Sequence, residues 1–134
     1  ARGRLSPAEM VDRYPIVCRP VRDVLVHYLT ERAAMLDYGS LDNLARVLAD
    51  LFWSDLERHH PGIATIGLTP EQATAWKQRL RVLPNGKPRR GVHTVLLGVR
   101  AFYLDLLQWS LEDPARWAPG PRPARSPRLM SAAM

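Results

Sequence analysis

Four segments of this chain place apolar residues three and four positions apart, the spacing of one face of an α-helix. The stripe is clearest in the second segment, where it consists of Leu41, Leu44, Ala45, Leu48, Leu51, Phe52 and Leu56. A shorter apolar run over residues 63–68 permits a strand, but its six residues include a glycine and are better explained as a buried connection. The sequence therefore predicts an all-α fold, a compact bundle of four main helices.

Proline, glycine and serine predict the limits of the first two helices. Pro20 suits the first turn of a helix over residues 20–38, because its fixed φ is already helical. Gly39 is expected to end that helix, and Ser40 to be the N-cap of the second. The second helix is expected to continue until the break at residues 59–62, His-His-Pro-Gly.

The third helix has the clearest beginning in the sequence. Thr69, Pro70 and Gln72 occupy the N-cap, the first and the third positions of a capping box. Turn chemistry over residues 84–86, Pro-Asn-Gly, ends this helix. The fourth helix is expected to begin within residues 88–91 and to run to about Glu112, where Pro114 ends it.

The fourth helix carries two apolar faces, which predicts a central position for its C-terminal half. The second of these faces consists of Leu97, Leu104, Leu107 and Leu111. The length of 134 residues fits one domain. We expect an N-terminal extension over 1–19, a helical domain over 20–114 and a Pro/Arg-rich linker or tail over 115–134.

Positive charge is concentrated in the second half of the chain. The net charge is +6, and residues 72–104 contain seven cations and no acid. These cations are Lys77, Arg79, Arg81, Lys87, Arg89, Arg90 and Arg100. Such a stretch indicates a polyanionic partner, and the alternative is a solvated helix face. The absence of acids over more than thirty residues favours the polyanion.

The best candidate site is the cluster at the expected start of the fourth helix. Cations there are disfavoured by roughly 0.3–1 kcal/mol each, because the helix dipole is positive at that end. A bound anion reverses the sign, so Lys87, Arg89 and Arg90 are predicted to meet phosphates. His93, Thr94 and Arg100 are near enough along the helix to approach base edges.

Other kinds of site find little support in the sequence. One cysteine, Cys18, excludes an internal disulfide, and the adjacent His59 and His60 indicate a surface turn rather than a metal site. No known catalytic motif occurs, so we expect no catalysis, no cofactor and no metal. The four tryptophans are assigned to core packing except Trp117, which is left open for base stacking. Without a signal peptide or a membrane-spanning run, the expected location is the cytoplasm.

Four short motifs follow one another in the second half of the chain: residues 66–72, 87–94, 97–103 and the Asp113-Pro114 pair. In this order and spacing they resemble the N-terminal core-binding, SAM-like domain of tyrosine recombinases, the phage-integrase family. Residues 66–72, Ile-Gly-Leu-Thr-Pro-Glu-Gln, resemble the start of that domain's third helix. Residues 87–94 resemble its loop and the start of its fourth helix. Residues 97–103, Leu-Gly-Val-Arg-Ala-Phe-Tyr, and the Asp113-Pro114 pair resemble the helix that follows and its end. The likeness covers about residues 20–114.

The resemblance implies a domain that grips duplex DNA while a separate C-terminal domain, absent from this sequence, cuts and rejoins strands. It places Lys87, Arg89, Arg90, His93, Thr94 and Arg100 on the DNA side and adds Arg46 of the second helix. Lys77, Arg79 and Arg81 complete the predicted basic surface. Since the family's His-x-x-Arg motif does not occur here, this chain alone is not expected to cleave DNA.

Two other functions remain open at this point. The second apolar face of the fourth helix would suit a helical protein-interaction module that docks a partner or pairs with itself, including on DNA. A stand-alone DNA-binding regulator is the other alternative.

Overall fold

The computed structural model describes residues 3–117, which are mostly helical and contain no strand. This confirms the prediction of an all-α chain. The residues form two compact units that divide between Ala64 and Thr65. The helices are α1 (Pro7–Asp12), α2 (Arg19–Arg32), α3 (38–59), α4 (Pro70–Leu80), α5 (Val92–Glu112) and α6 (Pro114–Trp117).

Helix α1 belongs to the core of the first unit. It begins with a capping box in which the Ser6 hydroxyl accepts the Glu9 N–H at 3.2 Å and the Glu9 carboxylate accepts the Ser6 N–H at 2.8 Å. Met10 and Val11 are fully buried, and α1 contacts both α2 and α3. The segment predicted as an N-terminal extension, residues 1–19, thus supplies a helix and three core side chains, Met10, Val11 and Ile16, to this unit.

The boundary between α2 and α3 differs from the prediction. Helix α2 ends at Arg32 rather than at residue 38, and Gly39 lies inside α3. The N-cap of α3 is Asp37, whose carboxylate accepts the Ser40 N–H at 2.7 Å, and this bond holds the pKa of Asp37 below its usual value. A carboxylate also interacts favourably with the positive end of the helix dipole, which gives Asp37 an advantage over Ser40 as the cap.

The middle of α3 is a π-helix over Arg46–Ser54, flanked by α-helical turns over Tyr38–Ala45 and Asp55–His59. Hydrogen bonds from i to i+5 widen its turns, so residues five apart share a face. Three such pairs are buried, and they are Val47 with Phe52, Leu48 with Trp53, and Ala49 with Ser54. The buried set is therefore broader than the predicted stripe, of which Leu44 and Leu51 are only half-buried.

The carboxylate of Glu57 joins the segment before α2 to the C-terminal part of α3. It accepts the backbone N–H groups of Val17 and Cys18 at 2.9 and 2.8 Å, and the indole Nε1–H of Trp53 at 2.9 Å. Trp53 is fully buried, which confirms its assignment to the core.

The second unit begins with the predicted buried connection. Ile66 and Leu68 are buried without forming a strand. The capping box of α4 is also confirmed, because Thr69 Oγ1 accepts the Gln72 N–H at 3.1 Å and Gln72 Oε1 accepts the Thr69 N–H at 2.9 Å. Trp76 of α4 is fully buried, as predicted.

Helix α5 ends at Glu112 as predicted, but its C-terminal half is not buried all round. The core side consists of Val95, Val99, Phe102, Tyr103 and Leu106. Leu104 and Leu111 are instead 42% and 74% exposed, so the prediction that this half is central is wrong. Within the described residues, the side of α5 that carries these five core residues is the side that is covered.

Helix α6 covers the end of α5. Trp117 is buried, and its ring lies 5.2 Å from that of Trp109. Residues 115–117 of the predicted tail are therefore helical, while 118–134 lie outside the described residues. No helix in the part that the structure describes has the length and apolar character needed to cross a membrane.

Candidate nucleic-acid interface

A tight loop between α4 and α5 presents the central cations of the predicted site. Leu83 N–H donates to the Lys87 carbonyl at 2.7 Å, and Gly86 N–H donates to the Leu83 carbonyl at 2.8 Å. Asn85 Oδ1 accepts the Lys87 N–H at 2.9 Å, and Gly86 has a φ of 86°, which favours glycine. These bonds fix the loop, so the exposed Lys87 projects from a defined backbone.

Arg89 anchors the returning side of this loop to the end of α4. Its backbone N–H donates to the Arg81 carbonyl at 2.8 Å, and its side-chain Nε–H donates to the Leu80 carbonyl at 2.8 Å. The carbonyls at a helix C-terminus lack partners within the helix, so a guanidinium there both satisfies and charge-stabilises that end. Half-buried Arg89 thus has a structural role that its neighbour Arg90, which is exposed, does not share.

Arg89 and Arg90 lie just outside helix α5, which corrects the prediction that they occupy its first turn. The N-cap is Gly91, with a φ of 74°, and the helix begins at Val92. No side chain caps the first turn and no acid lies in it, while His93 and Thr94 are exposed there. A helix N-terminus without a capping side chain leaves backbone N–H groups available to an anion. Gly91 is a contributor that the sequence prediction did not name, although a glycine just before a helix is a readable signal.

Three of the predicted cations surround one open depression. It has a volume of about 660 Å³ and is lined by Leu83, Lys87, Pro88, Arg89 and Arg90. This depression and the adjoining start of α5 form what we call the basic loop surface, defined by Lys87, Arg89, Arg90, His93 and Thr94.

The other predicted cations lie on or beside the helices that flank this loop. Lys77 and Arg79 are half-buried on α4, Arg81 is exposed directly after α4, and Arg100 is exposed on α5. Arg79 takes part in an interaction within the chain. The Arg81 carbonyl accepts the Arg89 N–H, so Arg81 adjoins the basic loop surface.

Three arginines of the first unit form ion pairs with neighbouring acids. Arg22 contacts Asp12 at 2.7 Å and Asp23 at 3.0 Å, Arg13 pairs with Asp42, and Arg58 lies 3.7 Å from Asp55. In the second unit, six cations make no ion pair with any described residue: Lys77, Arg81, Lys87, Arg89, Arg90 and Arg100. The excess positive charge of the chain is therefore left available on the second unit.

Residues nominated outside this surface differ in their placement. Arg46 is exposed, but it lies on the π-helical part of α3 in the first unit. Trp117 is buried against Trp109, so the option of base stacking by Trp117 is wrong. Cys18 is a half-buried free thiol, and no group of metal-ligating side chains occurs among residues 3–117.

No family model, no curated protein and no solved structure matches this chain.

Proposed function

We propose that the second unit binds duplex DNA through the basic loop surface and the cations that flank it. The observation that carries this proposal is the contrast in charge pairing between the two units. Arg13, Arg22 and Arg58 of the first unit meet carboxylates, whereas Lys87, Arg90 and Arg100 of the second meet none among the described residues. Unpaired cations around an uncapped helix start suit the regularly spaced phosphates of a duplex.

The resemblance in motif order selects DNA from among polyanions and supplies the context of the proposal. In that context the chain is the core-binding, SAM-like domain of a tyrosine recombinase or integrase. It would contribute DNA contacts to integration and recombination, while the catalytic residues would come from another domain. Affinity would rest mainly on phosphates, with His93, Thr94 and Arg100 adding modest discrimination between base pairs.

The experiment is a titration of fluorescently labelled duplex DNA at several salt concentrations. A Lys87→Ala/Arg90→Ala variant removes two exposed cations whose side chains make no bond with any residue of 3–117. If each meets one phosphate, the slope of log K against log salt should become shallower by about 1.8, or roughly 0.9 per phosphate. An Arg19→Ala/Arg58→Ala variant is the matched control, because it removes the same charge from exposed positions of the first unit.

Two results would contradict the proposal. Equal losses in both double variants would show that net charge, rather than this surface, controls binding. Stronger binding to single-stranded nucleic acid or to duplex RNA than to duplex DNA would reject the choice of ligand. The recombinase context has a separate test, which is whether the reading frame that encodes this chain also encodes a His-x-x-Arg motif and a tyrosine nucleophile.

A further inference from the structure

The solvent side of α5 carries three leucines seven residues apart. Leu97, Leu104 and Leu111 are 49%, 42% and 74% exposed. At 100° per residue, a seven-residue step returns to within about 20° of the same direction, so these three side chains form one stripe. The stripe extends about 21 Å along the helix axis and lies opposite the buried Val99 and Leu106. The exposed leucines are therefore aligned along one side of the helix at intervals of about 10.5 Å rather than scattered.

The residues between the leucines complete a heptad pattern. If the leucines occupy the d positions, the a positions are Thr94, Ala101 and Gln108, none of which is buried. This is the seam of a two-stranded coiled coil, in which leucine at d packs against leucine at d of the partner helix. The small Ala101 allows close approach of two helices, and a polar residue such as Gln108 at an a position favours one register.

Charge on the flanks of the seam identifies the partner. In this heptad Arg100 is at g and Asp105 at e, five residues later. In a parallel pair, a g residue lies beside the following e residue of the other helix, so Arg100 of one copy meets Asp105 of the second copy, twice. An antiparallel pair would instead place equivalent flanks together, with Asp105 beside Asp105. We propose that two copies of this chain associate, in the absence of DNA, through parallel pairing of α5 along Leu97, Leu104 and Leu111, an arrangement in which Thr94 and Arg100 are not available to base pairs.

The size of the seam sets the expected strength. Three partly exposed leucines offer a patch of a few hundred Å², within the range of functional patches on monomers. A standard interface buries about 800 Å² from each partner, so the pairing should be weak on its own. We expect a dissociation constant on the order of 100 μM, which sedimentation equilibrium of the full chain without DNA can measure.

Two substitutions test the seam. Leu104→Glu places a charge at its centre and should weaken association at least tenfold, whereas Met35→Glu, at an exposed apolar position of the first unit, should not change it. Arg100→Glu should also weaken association, because the new carboxylate would face Asp105 of the second copy. Arg100→Lys keeps the positive charge and should retain most of the wild-type association. A wild-type chain that stays monomeric at about 1 mM would overturn the proposal.

Cross-linking tests the direction of pairing. In a Cys18→Ser background, Leu111→Cys places the new thiols side by side in a parallel pair, but about 20 Å apart in an antiparallel pair centred on Leu104. The expected result is rapid disulfide dimer formation for Leu111→Cys and slow formation for the control Met35→Cys, which is equally exposed. Equal rates would reject parallel pairing. The Lys87→Ala/Arg90→Ala variant should self-associate normally, so a failure of DNA binding and a failure of this proposal are distinguishable.

Discussion

Replacing Tyr103 with phenylalanine should remove one buried hydrogen bond without changing the packing of α5. The Tyr103 hydroxyl donates to the Ile66 carbonyl at 2.6 Å, and both residues are buried. The bond ties α5 to the segment that leads into α4, so it joins the two helices that flank the basic loop surface. The same carbonyl also accepts the Leu68 N–H at 2.9 Å, so Tyr103→Phe does not leave it without a partner.

The cost should therefore be that of an ordinary hydrogen bond, about 1 kcal/mol, rather than the larger penalty of about 1–3 kcal/mol for a buried group left unpaired. Urea unfolding followed by circular dichroism measures the difference, with Tyr14→Phe as the control because the Tyr14 hydroxyl makes no hydrogen bond with the described residues. Identical unfolding free energies for wild type and Tyr103→Phe would refute the reasoning, and so would a loss well above 3 kcal/mol.

The pH dependence provides a second readout of the same residue. Burial raises the pKa of Tyr103 far above its ordinary value of 10.0. The folded state thus favours the neutral phenol, and this contribution to stability is complete below pH 10.0 and is lost as the pH rises above that value. Tyr103→Phe has no such group, so its stability should fall less steeply above pH 10.0 than that of the wild type. Parallel curves would contradict this assignment.

Two further predictions concern the first unit. Glu57→Ala should destabilise this unit by about 1–3 kcal/mol, because the Nε1–H of the fully buried Trp53 loses its acceptor. Glu57→Gln keeps an acceptor oxygen, so it should lose much less stability in the same urea assay. The hydrogen bond from Arg22 lowers the pKa of Asp12 below its ordinary 3.8, so this pair should stabilise the fold at pH values above 3.8 and cease to do so as acid protonates Asp12. Arg22→Gln should consequently flatten the acid limb of the stability curve, and an unchanged limb would show that the pair contributes nothing.

Features fixed by a few neighbouring residues were predictable from the sequence. The capping box of Thr69 and Gln72 is one, because donor and acceptor lie three residues apart and need no tertiary partner. The start of α3 was not, since Asp37 and Ser40 are both residue types that cap helices and lie only three positions apart. The π-helical turns of Arg46–Ser54 were also missed, because a 3.6-residue period does not reveal hydrogen bonds from i to i+5.

The sequence predicted which residues lie together at the candidate site better than it predicted which of its cations lack ion pairs. Lys87, Arg89 and Arg90 meet around one depression because a local turn brings them together, and that turn is visible in the sequence. Whether a cation is paired depends on contacts between distant residues, such as Arg13 with Asp42, 29 positions apart. Counting acids near each cation in the sequence therefore pointed to the second half of the chain, but it did not show which individual cations lack an ion pair.

The two adjacent arginines of the basic loop surface show why charge and fold must be tested separately. Arg89 holds the Leu80 carbonyl, so Arg89→Ala would loosen the end of α4 as well as remove a charge. Reduced DNA binding by that variant would be ambiguous, whereas the same loss in Arg90→Ala points to a direct contact, because the exposed Arg90 side chain has no internal partner among the described residues. An Arg89→Lys variant keeps the positive charge but lacks the Nε–H group in that position. If it binds DNA as weakly as Arg89→Ala, the contribution of Arg89 is to shape the loop on which Lys87 and Arg90 are presented.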